Sequence, residues 1–519
     1  MNTHIIKITI ILLISITNCE NLIAQSVNYF NYRYDLSQTG EIDRSYCIIE
    51  ADSNYVMAGY NLNYSTNKWD IVLSSYNQQG GVEWIKSFGD NISNYFLGDP
   101  GCLLKYDQNT YYSVGLRRKY TSNYVHDEIA LSKYNRFFDT IWSKYYGEQT
   151  QPYDTAYIFH QLKLTYDNSL ILGGEWKPAG EPIRMCLIKT DSSGDMLWKQ
   201  SYGSGSGYYR GFSVIQTSDN GYALGGFLFY IGQDESGDPI VVKTDSLGNQ
   251  QWMKNLGGEF PDHKAMLAFS VDSNILVGTC YGDSMINNDV AYARINMIKL
   301  NNDGDILWNK KYGSSTPDKH IGNIKCLQDG SIILTGSLYH GEPSYMGWIL
   351  KTNQNGDSLW YREYSQLNAD DSHNYLYDFT YTEDKNIVTC GYVSPVIPDT
   401  GNDDTWIMKL DSIGCDTPNC DPTVIMPIDI AYRGSIEVFP NPAREQFVVS
   451  SSPDNYREFV EGNCIIQLFD LFGRRVKEIK VPKGKEQIIV DVEGWQRGLY
   501  LLRISSGDGF SESVKVVIE

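Results

Sequence analysis

Histidine is the first residue type to examine for chemistry, because an imidazole can bind a metal ion or exchange a proton near neutral pH. Besides His4, the chain contains His126, His160, His263, His320, His340 and His373. None of them stands in a metal-ligand spacing, and the sequence has no Gly-x-Ser-x-Gly elbow, Walker loop or His-Glu-x-x-His helix. We therefore expect each histidine to be a loop or surface residue, and these motifs assign no catalytic residue and no metal ligand.

A second candidate for chemistry is a tryptophan that recurs six times at intervals of 52 to 58 residues, at Trp84, Trp142, Trp198, Trp252, Trp308 and Trp360. Such a residue could stack on a sugar, but one copy per period at the same strand position favours packing between repeated units. The Asp-x-x-Gly turns beside it supply one or two acidic groups per unit, whereas calcium requires about six or more oxygen ligands. We therefore interpret these turns as stabilised by Asx side chains.

The elements that carry these residues form a repeat of two hairpins. In one hairpin, an apolar run ends at Lys, a polar turn with Gly follows, and the Trp strand comes next, as in Ile188–Gly203 and Ile298–Gly313. The other hairpin joins two apolar runs and occurs seven times, at Cys47–Gly59, Leu103–Gly115, Leu162–Gly173, Val214–Gly225, Ala268–Gly278, Ile324–Gly336 and Phe379–Gly391. Four strands per period are typical of propeller blades, so the sequence predicts an all-β, seven-bladed β-propeller over residues 26–414.

The two ends of the repeat region complement each other. The seventh Trp-type hairpin begins at Trp406–Gly414 but lacks its second strand. The segment Asn28–Tyr34 has the aromatic-basic-Tyr pattern of that missing strand and lies about one period before Trp84. We expect it to pair beside the strand that ends near Asp411, which would close the ring and remove two exposed sheet edges.

The charge balance excludes one class of partner. The chain has 63 acidic and 43 basic residues, a formal net charge of −20, and no cluster of Lys and Arg alternates with aromatic residues. We therefore expect no nucleic-acid binding. No apolar run of transmembrane length follows the first 25 residues. We expect a monomer in solution.

The first residues have the pattern of a secretion signal. Lys7 precedes the apolar run Ile8–Ile16, and the small residue Ala24 stands where a signal peptidase could cut. We predict a signal peptide over residues 1–24. Lipidation at Cys19 is the alternative, but Asn18 occupies a position where lipoprotein signals have a small residue.

The ten cysteines do not form an obvious disulfide framework. They are spread over hundreds of residues, and most fall in apolar runs such as Cys47-Ile48-Ile49, where a thiol acts as a small buried hydrophobe. Only Cys415 and Cys420 lie close together, in a polar segment that contains Pro418. A disulfide between these two is possible in an exported protein. We place a linker over residues 415–434.

From Ile436 onward the period is lost and a second domain begins. Its apolar residues alternate between Gly-containing turns in four segments, Ile436–Ala443, Ile465–Val476, Gly498–Ile504 and Lys515–Glu519. This pattern predicts a small β-sandwich over residues 435–519. From Gly434 onward there are 11 basic and 13 acidic residues, so most of the negative charge lies on the propeller.

These four segments, in this order, closely resemble the type A sorting domain of Bacteroidetes type IX secretion cargo. The residues that carry the resemblance are Phe439, Pro440, Asn441, Pro442, Ala443, Gly473, Gly498, Tyr500 and Lys515. The resemblance implies passage through the periplasm and across the outer membrane by the type IX machinery. It also implies removal of the domain by a surface sortase and, in many such proteins, attachment to surface lipopolysaccharide. We therefore expect a secreted or outer-surface protein.

The Trp turn also resembles the tryptophan-docking repeats of quinoprotein dehydrogenases over about ten residues per unit. Those repeats have Thr-Gly before the Trp segment, whereas this chain has Ser-Gly, Asp-Gly or Asn-Gly. The resemblance therefore transfers no quinone, and we predict no cofactor.

Two functions remain open from the sequence. The first is a binding or adhesion module for an extracellular ligand such as a glycan or a protein, and the second is an extracellular hydrolase or lyase. Propellers assemble either kind of site from several blades at one mouth of the channel. A pair of carboxylates with one strongly shifted pKa at that mouth would favour an enzyme. An aromatic, uncharged mouth would favour binding.

Overall fold

The computed structural model describes residues 29–36, 42–90, 92–97, 99–120, 125–147, 156–178, 180–229, 237–286, 290–317, 319–341, 344–366, 372–395, 402–418, 420, 436–439, 441–451, 464–470, 474–482, 485, 487–506 and 511–518. The predicted signal peptide and most of the predicted linker lie outside them. Within these residues the regular structure is β-strand, and no helix there is long and apolar enough to cross a membrane.

The strands of the first compact unit follow one another without a break in architecture. In chain order they are β1 (Phe30–Tyr34), β2 (Asp43–Ala51), β3 (Asn54–Asn63), β4 (Lys68–Tyr76), β5 (Val82–Phe88), β6 (Ser93–Leu97), β7 (Leu103–Lys105), β8 (Thr110–Tyr120), β9 (Val125–Asn135), β10 (Thr140–Tyr146), β11 (Ala156–Leu164), β12 (Leu170–Lys177), β13 (Arg184–Thr190), β14 (Met196–Tyr202), β15 (Tyr208–Gln216), β16 (Tyr222–Phe229), β17 (Gly237–Thr244), β18 (Gln250–Asn255), β19 (Met266–Phe269), β20 (Ile275–Ile286), β21 (Val290–Leu300), β22 (Ile306–Pro317), β23 (Lys319–Cys326), β24 (Ile332–Gly341), β25 (Ser344–Thr352), β26 (Ser358–Tyr364), β27 (Ser372–Tyr381), β28 (Ile387–Pro395) and β29 (Asp404–Leu410).

These strands form consecutive four-stranded antiparallel groups, as in β2-β3-β4-β5 and β11-β12-β13-β14. The described strands give seven such groups, two of which are joined by a single parallel pair between Tyr345 and His373. In the second group the first strand is divided into β6 and β7. The first unit is therefore a β-propeller, as the sequence predicted. The count of seven closed blades stays a prediction, and these seven groups support it.

The N-terminal strand completes the last group. β1 pairs antiparallel with β29, from Phe30 opposite Lys409 to Tyr34 opposite Thr405. The Trp406 indole Nε1 also donates a hydrogen bond to the Asn31 amide Oδ1 at 2.7 Å. The predicted pairing between the two ends of the repeat region is thus confirmed, and it covers the edge that β29 would otherwise expose.

The repeated tryptophan packs between neighbouring blades. A Cβ placed on Gly248 would lie 2.9 Å from Cζ3 of Trp198, and one placed on Gly414 would lie 2.8 Å from Cζ3 of Trp360. Both glycines have a positive φ, which suits glycine in a tight turn. The Trp360 indole Nε1 also donates to the Ser412 carbonyl at 3.2 Å. The packing interpretation of the repeated tryptophan is confirmed, because each of these rings packs against the turn of the next blade.

In three blades the lysine that ends the Trp-hairpin run has the same kind of partner. Its Nζ pairs with an aspartate in the turn of the other hairpin of the same blade, as in Lys189–Asp167 at 2.6 Å, Lys243–Asp219 at 2.7 Å and Lys299–Asp272 at 2.7 Å. Lys243 is fully buried, and its Nζ also donates to the Thr244 carbonyl at 2.8 Å and to Gln251 Oε1 at 2.9 Å. These pairs tie the two hairpins of a blade together.

Asx side chains stabilise the polar turns, as the sequence predicted. The Asp191 carboxylate oxygen Oδ1 accepts hydrogen bonds from the amides of Ser193 at 2.9 Å and Asp195 at 2.8 Å. Asn301 Oδ1 makes the corresponding bonds to Asp303 and Asp305 in another blade, at 3.0 and 2.8 Å. The acidic groups of these turns are thus satisfied locally.

The Lys–Asp pairs predict a loss of stability in acid. Burial alone would raise the pKa of Asp167 and Asp272, but Lys189 and Lys299 help to lower each to about 2. A folded-state pKa below the unfolded value of about 3.9 adds stability above that pH, and this stability is lost as the pH falls toward about 2. We expect the Tm of the propeller to fall steadily between these values, as measured by circular dichroism.

A matched variant tests the source of that fall. The triple variant Asp167→Asn, Asp219→Asn, Asp272→Asn cannot titrate at these positions, so its Tm should depend less on pH over the same range. An equal dependence in the variant and the parent would show that other carboxylates cause the acid sensitivity.

The second compact unit contains Pro427–Glu519 and has its own core. Its strands are β30 (Ile436–Phe439), β31 (Gln446–Ser451), β32 (Cys464–Phe469), β33 (Arg475–Lys480), β34 (Gln487–Asp491), β35 (Gly498–Ser506) and β36 (Ser511–Ile518). They form one sheet of order β30-β31-β34 and another of order β33-β32-β35-β36. Phe447 and Val490 from the first sheet share a buried cluster with Leu468 and Leu502 from the second. This is the predicted β-sandwich.

The cysteines fall into the two groups that the sequence predicted, namely buried thiols and one close pair. Cys47, Cys102, Cys186, Cys280 and Cys390 are buried among the strands. Cys415 and Cys420 are joined in a disulfide with a Cα–Cα distance of 5.8 Å. The disulfide closes a short loop directly after the last turn of the propeller unit.

Candidate functional site

The inner strands of several blades carry a β-bulge at the same place. One extra residue stands between paired positions of β2, β11, β15, β23 and β27, namely Tyr46, His160, Phe212, Gly322 and Tyr377. A bulge redirects a side chain that the regular pleat would otherwise bury. Two groups of these side chains make contacts between blades: Tyr46 packs against Tyr377, and His160 packs against Phe212 and pairs with Asp99.

The second blade replaces the bulge with a longer break. β6 ends at Leu97, β7 begins at Leu103, and Asp99 lies between them. Gly101 in this break has φ +86°, and a Cβ there would lie 2.5 Å from the Gln161 side-chain nitrogen, so the turn requires glycine. The break places Asp99 in contact with residues of two other blades. Its carboxylate contacts the His160 imidazole and lies 2.8 Å from the Lys264 Nζ.

Asp99 is the electrostatic centre of this cluster. Burial alone would raise its pKa, but Lys264 and His160 lower the pKa of Asp99 well below its usual range. The carboxylate therefore stays ionised at neutral pH. Phe212 covers the cluster: its ring lies 4.7 Å from the His160 ring, and the Lys264 Nζ lies 4.6 Å from the Phe212 centroid. Asp99 is consequently a fixed anion that orders two cationic or polar side chains.

An unbroken series of aromatic rings includes two of the bulge residues, Tyr46 and Tyr377. We call it the aromatic arc, and its members are Tyr60, Tyr46, Tyr377, Tyr392, Tyr375 and Tyr345. Successive ring centroids are 5.3, 4.6, 5.8, 4.9 and 5.1 Å apart. All but Tyr392 keep part of their surface exposed. The arc spans three blades, because its residues come from β2 and β3, β27 and β28, and β25.

Tyr46, Tyr377 and Tyr392 of the arc have phenols that are neutral hydrogen-bonding groups. Burial, with a further effect of neighbouring tyrosines, raises the pKa of Tyr46 and Tyr377 well above 10. Burial likewise raises the pKa of Tyr392. The Tyr46 and Tyr60 hydroxyls lie 2.9 Å apart and share a hydrogen bond, and the Arg44 guanidinium lies 4.9 Å from the Tyr392 centroid. A phenol in this state can donate or accept a hydrogen bond but cannot act as a base at neutral pH.

The carboxylates of this region are paired with cations. Glu175 makes a two-point contact with the Arg210 guanidinium at 2.7 and 3.1 Å, and Asp403 pairs with Arg44 at 2.5 Å. One group of three, Asp35, Asp43 and Asp404, has ligand atoms within 4.8 Å of one another at the seam between β1, β2 and β29. Arg33 pairs with Asp404, and the Leu36 amide donates to Asp43 at 2.9 Å.

That carboxylate group does not match a pair that acts on a substrate. Asp43 is 1% exposed and Asp404 is 6% exposed, so both are closed to a ligand in the channel. Burial raises the pKa of Asp404, while Arg33 acts in the opposite direction. Asp35 is exposed, so the group is a charge network of two buried and one exposed carboxylate at the seam between β1 and β29.

The histidine prediction needs a correction. His126 and His160 are 8% and 6% exposed and lie on β9 and β11, so the expectation of loop or surface positions is wrong for them. Residues one blade apart also meet although no local motif connects them. His263 and His320 are 57 residues apart, and His263 Nε2 lies 2.7 Å from His320 Nδ1. A search at the blade period, in place of short ligand spacings, would have found this pair.

In the second unit, some of the predicted sorting residues contact the last strand, β36. The Asn441 amide Nδ2 donates to the Lys515 carbonyl at 2.7 Å, and its Oδ1 accepts from the Val517 amide at 2.8 Å. Ala443 is buried, and its amide donates to the Val517 carbonyl at 2.8 Å. The Asn441-Pro442 peptide bond is cis. The Asn441–Ala443 segment thus holds β36 through three hydrogen bonds.

The remaining predicted sorting residues occupy separate places. Phe439 ends β30, Gly498 begins β35 with φ +151°, and Tyr500 is buried with its hydroxyl donating to the Gln496 carbonyl at 2.7 Å. The Lys515 side chain is exposed on β36. Pro440 and Gly473 lie outside the described residues.

Comparison with known families identifies the second unit. Residues 437–519 match the secretion system C-terminal sorting domain. They form a type IX secretion sorting domain, which implies handling by the type IX machinery and export to the cell surface or the medium in Bacteroidetes.

Comparison of the whole chain finds only distant relatives. A curated relative, the regulatory protein FlaEY of Caulobacter vibrioides, is 25% identical over 200 residues, which are 34% of this chain and 20% of that protein. The chain thus matches about a fifth of the length of this relative.

Two solved structures are similar in outline. The ulvan lyase of polysaccharide lyase family PL25 has a TM-score of 0.48 at 10% identity, over 77% of this chain and 99% of that one. The β-propeller domain of the trilobed protease from Pyrococcus furiosus has a TM-score of 0.36 at 12% identity, over 70% and 94%.

Proposed function

We propose that this exported protein binds an extracellular glycan at the channel mouth of its propeller, with the aromatic arc as the binding surface. The observation that carries the proposal is the series of rings from Tyr60 to Tyr345, all of which except Tyr392 are partly exposed. Aromatic faces with hydroxyl groups at their edges suit sugar rings, which have apolar faces and many hydroxyl groups.

The channel supplies both parts of such a site. The aromatic arc gives flat apolar surface, and the partly exposed pair of Asp99 and Lys264 gives hydrogen-bonding groups that are already oriented. Side chains held by neighbouring contacts lose little freedom on binding, so their hydrogen bonds add affinity at small entropic cost.

An enzyme of the carboxylate type is less well supported. Asp99 and Glu175 are each paired with a cation, and the described carboxylates near the mouth provide no exposed pair with one protonated member. A lyase with a tyrosine base is also disfavoured, because Tyr46 and Tyr377 have raised pKa values. These two arguments support the binding proposal over the hydrolase or lyase alternative.

The test is a binding experiment with a matched control. Glycan-array screening of the protein followed by calorimetry should identify a ligand whose affinity falls about 10-fold in Tyr345→Ala, or about 1.4 kcal/mol. Tyr166→Ala removes an equally large side chain, 63% exposed, from the turn between β11 and β12 at the other end of the strands. It should leave the affinity unchanged.

Two outcomes would contradict the proposal. One is a ligand whose affinity is the same in Tyr345→Ala and the parent protein. The other is chemical conversion of the glycan by the parent protein in a parallel activity assay, which would restore the hydrolase or lyase alternative.

A further inference from the structure

Two histidines from adjacent blades face each other beside the aromatic arc. The His263 amide donates to the Cys280 carbonyl at 2.9 Å, and His320 lies on β23 opposite Ser337. Each histidine is therefore held by the sheet of its own blade. His263 Nε2 and His320 Nδ1 are 2.7 Å apart, and the two rings are nearly perpendicular at 80° with centroids 4.7 Å apart. Both side chains are partly exposed.

Two imidazole nitrogens at this distance can form a hydrogen bond, in which the N–H of one neutral ring donates to the lone pair of the other. If both facing nitrogens are unprotonated, their two lone pairs can bind one cation. In a tetrahedral zinc site with Zn–N distances of about 2.0 to 2.1 Å, two ligand nitrogens are about 3.3 Å apart. A small rotation of the two rings, without movement of the strands, would open the present distance to that value.

We propose that His263 and His320 form a two-histidine site for a borderline divalent transition metal ion such as Zn²⁺, Cu²⁺ or Ni²⁺. Imidazole is a preferred ligand of these ions, whereas Ca²⁺ and Mg²⁺ prefer oxygen. The site does not depend on the proposed glycan binding, because the ion alone can be tested.

The neighbours of the pair leave room for additional ligands. Asp262, next to His263, is 7% exposed and is occupied by hydrogen bonds from the Gly258 and Gly282 amides, both at 2.6 Å. On the other side, the His320 ring lies 6.2 Å from the Tyr345 ring, the first ring of the aromatic arc from this end. Two protein ligands leave an ion with open coordination positions, which a water molecule or a ligand oxygen at the channel mouth can fill.

The charges around the pair are balanced. Lys264 follows His263, and its Nζ pairs with Asp99 at 2.8 Å. The Arg294 guanidinium, another nearby cation, pairs with Asp283 at 2.6 Å. A divalent cation at the histidine pair would therefore not face an uncompensated cluster of positive charge.

Calorimetric titration of the full chain with ZnCl₂ alone tests the proposal. The parent protein should bind one ion per chain, and His263→Ala and His320→Ala should each weaken binding at least about 10-fold, since even the loss of a residue outside the ligand shell costs that much in metal sites. The double variant should be no weaker than either single variant, because a chelate is lost with its first ligand. His126→Ala, in another blade, should bind as the parent does.

A second measurement covers the case in which an alanine variant does not fold. Crystals of the parent protein soaked with ZnCl₂ should give an anomalous zinc peak between His263 Nε2 and His320 Nδ1. The absence of that peak, unchanged binding in the two single variants, or equal weakening in His126→Ala would overturn the proposal and leave the pair as a hydrogen bond with a shared proton.

Discussion

Trp360→Ala is expected to lower the free energy of unfolding of the propeller by about 3 to 5 kcal/mol, the range for a large aromatic side chain removed from a packed core. Trp360 is 5% exposed, and its ring lies against Gly414 of the next turn, where an added Cβ would be 2.8 Å away. The Trp360 indole also donates to the Ser412 carbonyl at 3.2 Å. The variant therefore loses both the apolar contact and the hydrogen bond between two blades. Denaturant unfolding followed by tryptophan fluorescence and circular dichroism measures the change.

Two further variants separate these contributions. Trp360→Phe keeps an aromatic ring but loses the indole donor, so it should cost less than the alanine variant, with the hydrogen bond accounting for about 1 kcal/mol. Trp198→Ala removes a partly exposed member of the same series and should cost less than Trp360→Ala. If Trp360→Ala leaves stability unchanged but abolishes ligand binding, the repeated tryptophan is a contact residue for the ligand and the packing interpretation is wrong.

The same residues explain why the architecture could be predicted from the sequence. Trp198, Gly248 and Lys243 make contacts within one blade or with the next blade. Such contacts repeat from blade to blade, so the residue types that make them recur once per period. The pairing of β1 with β29 was also indicated by the sequence, because Phe30 and Tyr34 repeat the aromatic pattern of the Trp strands.

The channel residues could not be predicted in this way. Asp99 meets Lys264 from across three blade positions, and its effect depends on a break in one inner strand that no other described blade has. His160 and Tyr46 stand at bulges, which change the face of a side chain without a change in residue type. The proposed binding site lies where the repeat is least regular, so a pattern built from regularity did not find it.

The sorting domain shows the opposite case. Its motif residues were recognisable because they resemble a known family, yet the sequence alone did not explain why Asn441 and the C-terminal strand occur together. The hydrogen bonds from the Asn441 side chain to the Lys515 carbonyl and the Val517 amide, at 2.7 and 2.8 Å, supply the reason. The first motif acts as a clamp on the last strand.

Removal of Gly434–Glu519 is expected to abolish almost all surface display and secretion in the native host and to leave a folded propeller in the periplasm. The family match places the sorting domain for the type IX machinery at residues 437–519. The propeller has its own strands and its own closing pair, β1 with β29, all before that segment. A unit that closes its own core does not need the second domain in order to fold. Cell fractionation with an antibody against the propeller measures the distribution.

A point variant makes this test sharper, because it keeps the full chain. Asn441→Ala removes both side-chain hydrogen bonds to β36 and should reduce surface display strongly, since the last strand then lacks its clamp. Lys480→Ala changes an exposed side chain on β33 and should be displayed as the parent protein is. Thermal unfolding should show that the propeller is equally stable in the parent protein, in Asn441→Ala and in Lys480→Ala. Equal display of the truncated and the intact protein would show that the second domain is only structural, whereas loss of display in Lys480→Ala would show that export tolerates no change in this sheet and that Asn441 has no special part in it.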